Sequence, residues 1–176
     1  ITLFIAHRYL TVKGINRPEF YALLLISTMG MMVMANSTDL VVMFLGLEIM
    51  SVPLYVMAGF ARRSLLSNEA GLKYFVMGAF ASGFLLMGIA LIFGASETTD
   101  LRRLVADFNY IMANNRELLY AGTALILIGF GFKIAAVPFH TWVPDVYQGA
   151  PTPVTAFFSA GPKAAGFAAM LRIFLF

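Results

Sequence analysis

The apolar positions of this chain fall in long blocks, with most polar positions gathered in short links between them. Five blocks stand out: Phe20 to Ala35, Leu40 to Ala61, about Glu69 to Phe93, about Leu118 to Val137, and Val154 to Phe176. At roughly 1.5 Å per residue each covers the ~30 Å hydrocarbon core of a bilayer, the first only marginally. The competing reading is a large buried helical core, but its helices would need polar faces that these blocks lack. The pattern therefore predicts an all-α fold, a polytopic transmembrane bundle of about five spans, with residues 1–176 forming a single transmembrane domain.

The fourth block ends in KIAAVPFHTWVPDVYQGAPTPV, which carries Pro138, Pro144, Pro151 and Pro153. Pro138 has no amide donor, and its ring clashes with the carbonyl of Ile134, four residues back. The expected result is a discontinuous helix that stops after Lys133 and resumes as a short helix between Phe139 and Tyr147. Broken helices survive in membranes where they face protein or a wet cavity, and transporters place ion sites there. The plainer alternative ends the helix at the interface, with Trp142 and Tyr147 as belt aromatics. In the 94–117 loop, DLRRLVADF reads as a short amphipathic helix at the membrane surface or an ordinary loop helix. Arg8, Lys13 and Arg17 precede the first block and Arg62 and Arg63 follow the second, while the intervening NSTD has no Lys or Arg. The positive-inside rule then puts residues 1–19 and 62–68 in the cytoplasm or its organellar equivalent, with Arg102, Arg103 and Arg116 running against it.

Composition sharpens the membrane reading: 60% of the 176 residues are hydrophobic and 12% charged, against about half and a quarter in ordinary soluble domains. With no cysteine, disulfides, thiolate chemistry and cysteine-ligated metals are excluded. The net charge of +3 is scattered and leaves no nucleic-acid footprint. There is no P-loop and no dinucleotide fingerprint. The chain starts at Ile1 without Met, shows no cleavable signal peptide and stops inside the apolar MLRIFLF, so the expectation is a piece of a longer membrane protein.

Four ionisable residues interrupt the blocks: Glu48, Lys73, Lys133 and Lys163. A charge at mid-membrane costs roughly 2.5–3.5 kcal/mol on insertion scales, so such residues are functional by default. Glu48 lies roughly 12 Å into its block at 1.5 Å per residue; Lys163 and Lys133 fall near mid-depth, and Lys73 is shallower. The second and third blocks are tightly linked and so expected to pack as antiparallel neighbours, which makes Glu48 and Lys73 the natural ion pair. Lys133 and Lys163 then have no acid left inside the membrane. Desolvation disfavours the charged form of a buried amine, so an unpaired lysine can take and release a proton. Plainer roles stand beside these: Lys73 snorkelling to the interface, Glu48 clamping two helices, His140 as a relay member or a helix-end histidine, and Arg172 as an interface anchor. Ser51, Ser82, Thr123, Thr155 and Ser159 can hold waters between relay groups or simply favour helix packing. The methionines fill gaps better than they bind metal. Pro53, five residues past Glu48, either loosens its helix or makes a packing kink.

LGLEIMSVPLYVMAGF, SNEAGLKYF, GFKIAAVPFHTWVPDVYQGAPTPVTAFF and GPKAAGFAAMLR resemble the antiporter-like membrane subunits of respiratory complex I, NADH:quinone oxidoreductase, in their subunit N branch, the counterpart of mitochondrial chain 2. EAGLKYF and VPFHTWVPDVYQGAP separate that branch from the sister subunits L and M and from Mrp-type subunits. The resemblance runs from about Arg17 to the chain end and implies the first of two inverted five-helix repeats. The second repeat, with the lysine or glutamate that completes the channel, is not in this sequence. It places Glu48 and Lys73 as a pair, Lys133 on the broken helix and Lys163 on the next, as a proton relay driven by quinone reduction elsewhere, with His140 a less firm member. It implies other complex I membrane subunits as partners, including sister antiporter-like subunits, and the lipid bilayer of a bacterial plasma or mitochondrial inner membrane. It implies no cofactor on this chain, the complex as a whole using NADH, FMN, iron–sulfur clusters and quinone. The alternatives are a Na⁺/H⁺ antiporter or membrane hydrogenase subunit, or a non-pumping structural remnant.

Overall fold

A computed structural model describes residues 2–175, which are helical almost throughout; the fifth span expected from the sequence, reaching Phe176, ends one residue outside them. The helices are α1 (Thr2–Val12), α2 (Pro18–Asn36), α3 (Leu40–Ala58), α4 (Leu65–Ser96), α5 (Leu101–Ala106), α6 (Phe108–Asn114), α7 (Arg116–Ile134), α8 (Val143–Gly149) and α9 (Thr152–Leu175). Local chemistry sets their starts. Pro18 opens α2, where its missing amide costs nothing. Asp39 caps α3 by accepting from the amides of Val41 and Val42 at 2.9 and 3.0 Å, and Asp100 caps α5 in the same way. The α5 helix lies within the DLRRLVADF stretch expected to form one.

Among the described residues four helices are long and apolar enough to cross a membrane: α2, α3, α4 and α7. α9 matches the fifth block and is long enough at 24 residues, but Lys163, Arg172 and its small residues dilute its hydropathy. The outward faces are apolar, with Leu25, Met29 and Met32 on α2 and Leu72, Val76 and Phe80 on α4 exposed. Such a continuous surface suits lipid or a neighbouring helix.

Small residues set the packing. A Cβ on Gly46 of α3 would lie 2.6 Å from the Met34 amide nitrogen of α2. One on Gly88 of α4 would lie 2.7 Å from the Gly122 carbonyl oxygen of α7. Both helix pairs therefore approach backbone to backbone, the arrangement that favours association in lipid. α9 closes the bundle against α2, α3 and α7, and α8 lies along the beginning of α4.

At the opposite end of α4, two links are stapled together. Leu40 donates its amide to the Thr99 carbonyl and Leu101 to the Thr38 carbonyl, both at 2.9 Å. The Thr99 hydroxyl donates to the Asp39 carboxylate at 2.6 Å. Burial alone would raise the Asp39 carboxyl, but the Thr99 hydroxyl and the Val42 and Val41 amides outweigh it and hold the group below its ordinary value.

Candidate functional site

The site forms where α7 breaks. Ala135 ends the helix in the left-handed region at φ 61°, a conformation that costs any residue with a Cβ. The Val137–Pro138 peptide is cis. The backbone freed by the break finds partners: the Ala136 amide donates to the Gly131 carbonyl at 2.8 Å, and the Trp142 indole donates to the Phe132 carbonyl at 3.1 Å. These satisfy carbonyls that a helix end would otherwise orphan. The expected break is therefore present, although the chain resumes as a helix at Val143 rather than at Phe139, with turns between.

Lys133, one residue before the end of α7, is 3% exposed. Its amine donates to the Ser51 hydroxyl of α3 at 2.5 Å, and Ser51 donates onward to the Leu47 carbonyl. The amine stands 5.5 Å from the Tyr55 ring centroid and 5.6 Å from that of Tyr74. Aromatic faces attract a cation most when it is desolvated. Among the described residues no carboxylate forms a salt bridge with Lys133.

Glu48, half-buried, accepts from the Ser82 hydroxyl of α4 at 2.5 Å. Helical spacing puts Glu48, Ser51 and Tyr55 on neighbouring turns of one α3 face. A small cavity of about 10 Å³ touches Ser82, Tyr55 and Lys133, at the lower limit of what one water occupies. The constellation is thus a carboxylate and a buried amine, each on its own serine, with a small cavity beside Ser82 and Lys133.

The Glu48–Lys73 ion pair expected from adjacency does not form. Lys73 instead meets Glu69 at 2.6 Å and Asp145 at 2.7 Å. The cause is the stagger of α3 against α4. A Cβ on Gly71 would lie 2.9 Å from the Gly59 Cα, so the start of α4 runs past the end of α3 and Lys73 sits level with the last turn of α3. Glu48 faces Ser82 instead, nine residues farther along α4, roughly 13 Å at 1.5 Å per residue.

The remaining expected residues are spread out. Lys163 is half-buried on α9, with its amine 5.4 Å from the Tyr147 ring centroid. His140 is exposed in the break, and its ring is not brought to Lys133 by any contact among the described residues. Of the hydroxyls, only Ser51 and Ser82 touch the charges; Thr155 donates to the Tyr147 carbonyl at 3.1 Å, Ser159 to the Ala156 carbonyl at 2.8 Å, and Thr123 lines a separate apolar groove. Sequence reasoning missed Tyr55, Tyr74, Glu69 and Asp145. The helical interval from Glu48 to Tyr55 was a usable signal; nothing local marked Asp145 as the partner of a residue 72 positions earlier. No group of metal-ligating side chains occurs among the described residues.

Three comparisons bear on this arrangement. The family described as NADH:quinone oxidoreductase/Mrp antiporter, TM, matches residues 37–176. NADH-quinone oxidoreductase subunit N of Trichlorobacter lovleyi is 54% identical over 175 residues, which is 99% of this chain and 36% of that protein. The chain thus spans about a third of the length of the curated relatives it matches. Among solved structures, respiratory complex I from Thermus thermophilus with bound aureothin contains a chain 43% identical, with TM-score 0.79 over 89% of this chain and 34% of that one. A chain of the archaeal membrane-bound sulfane sulfur reductase is 35% identical, with TM-score 0.79 over 86% of this chain and 30% of that one.

Proposed function

This chain belongs to the NADH:quinone oxidoreductase/Mrp antiporter transmembrane family, and on that premise we propose that it carries one five-helix repeat of a proton-translocating subunit of NADH:quinone oxidoreductase. The observation that carries the proposal is Lys133, an amine 3% exposed at a helix break, bound to a hydroxyl and two ring faces and, among the described residues, to no carboxylate. A lysine so placed is costly unless its charge is used. Its proton is held by weak partners and can be passed on.

The relay runs as follows. Glu48 and Lys133 each rest on a serine, and Ser82, the partner of Glu48, lines the same small cavity as Lys133. When the carboxylate turns from Ser82 towards Lys133, it favours the ammonium form, and the amine takes a proton. When it turns back, Lys133 loses that support and gives the proton up through water and hydroxyls towards Lys163. Moving one charge against 100 mV requires about 2.3 kcal/mol, which quinone reduction elsewhere in the complex supplies. NADH, FMN, iron–sulfur clusters and quinone stay with other subunits, and this chain does no redox chemistry. Its partners are other complex I membrane subunits, in a bacterial plasma membrane or the mitochondrial inner membrane. His140 keeps at most a peripheral place, given its exposure.

The family description also includes Mrp antiporters, so sodium-for-proton exchange is the second reading. Replacing sodium by choline separates the two: proton movement that persists unchanged supports the proton relay. The direct test is Lys133→Ala in the intact complex, assayed for quinone reduction and pumping. Loss of pumping is expected, and wild-type levels of both would defeat the relay.

A further inference from the structure

Lys73 is tied to the segment beyond the break. Its amine reaches Asp145 of α8 at 2.7 Å and Glu69, one turn earlier on α4, at 2.6 Å. The next residue, Tyr74, turns inward and is stacked on Trp142 with centroids 4.6 Å apart and planes at 13°. Trp142 directly precedes α8 and holds the Phe132 carbonyl at 3.1 Å, next to Lys133. Tyr74 in turn lies under the Lys133 amine at 5.6 Å. Two successive residues of α4 therefore hold the start of the resumed helix, Lys73 by charge on Asp145 and Tyr74 by stacking on Trp142 just before it. Packing brings the two helices close enough for this hold: a Cβ on Gly149 would lie 2.7 Å from the Ala70 Cβ.

Resting on the relay reading above, we propose that Asp145 is a positioning residue: its salt bridge to Lys73 latches α8 onto α4 and so fixes the surroundings of Lys133. The latch is made of half-exposed charges, with side chains 41% and 52% exposed. Such a pair is weak and easily exchanged. Breaking the pair frees α8, and the motion reaches Lys133 through Trp142, Tyr74 and the Phe132 carbonyl, packed side chains being the physical connection.

The test uses the intact complex in inverted membrane vesicles, reading protons moved per NADH oxidised. Asp145→Asn is expected to lower that ratio about threefold or more while assembly and electron transfer persist, and Asp145→Glu to keep it. In a Lys73→Met background, Asp145→Asn is expected to add nothing further. A wild-type ratio in Asp145→Asn overturns the proposal, as does an equal loss with Lys73 already replaced. Loss of assembly in Asp145→Asn makes the aspartate a structural brace and overturns it too. Lys133→Ala run in parallel keeps the two ideas apart: if it loses pumping while Asp145→Asn does not, only the latch fails.

Discussion

Lys133 and Lys73 are both amines on membrane-crossing helices, and they meet opposite surroundings. Lys133 is buried, with a serine and two aromatic faces. Lys73 is half-exposed and holds two carboxylates. The paired cation is held as a charge by neighbours of opposite sign, whereas the buried one, among the described residues, has polarisable and neutral partners. Proton exchange belongs to the second kind of site, because a charge that costs free energy to keep is one that can be given up. The first kind suits positioning.

That contrast can be broken experimentally. The largest effect is expected from Glu48→Gln, which removes the carboxylate that the proposed relay brings to Lys133: pumping by the intact complex falls about tenfold or more, the scale of one pKa unit on the amine. The matched change on the outer site, Glu69→Gln, leaves pumping within about twofold, since Glu69 lies on the same helix as Lys73 and an exposed pair within one helix contributes little. Equal losses in both variants would erase the distinction between the two regions.

A smaller effect is expected from Ser51→Ala. It leaves the Lys133 amine without its hydrogen-bond acceptor, and an unsatisfied buried polar group costs about 1–3 kcal/mol. Pumping falls by about fivefold or more on that scale, while Tyr74→Phe, which keeps the ring face, changes it little. Smaller again is Lys73→Met, for which thermal unfolding of the purified complex stays within about 2 °C of wild type.

The smallest effect lies at the Asp39–Thr99 staple. Because the Asp39 carboxyl is held below its ordinary value, its stabilisation is present above about pH 4 and disappears as pH falls through the lower folded-state value. The stability difference between wild type and Thr99→Val should therefore be constant from about pH 7 to 5 and shrink below about pH 4. A difference that grows on acidification would contradict the assignment.

Much of this was legible in the sequence. Apolar blocks located the long helices to within a few residues because burial in lipid leaves so little choice of residue type. The break after Lys133 was legible because proline acts locally. The partner of Glu48 was not. Counting residues gives depth within one helix but not the stagger between two, and here α4 begins beyond the end of α3. Pairing by adjacency therefore chose Lys73, while the fold chose Ser82. Asp145 was hidden for a related reason: its contact depends on where the chain turns after the break, which no local pattern encodes.

The central claim is that Lys133 exchanges a proton rather than merely carrying a charge. Lys133→Arg tests this directly, since the guanidinium keeps a positive charge but does not deprotonate in proteins. In the intact complex, with assembly verified, proton pumping is predicted to be lost. Pumping at the wild-type ratio of protons to NADH in that variant would contradict the account.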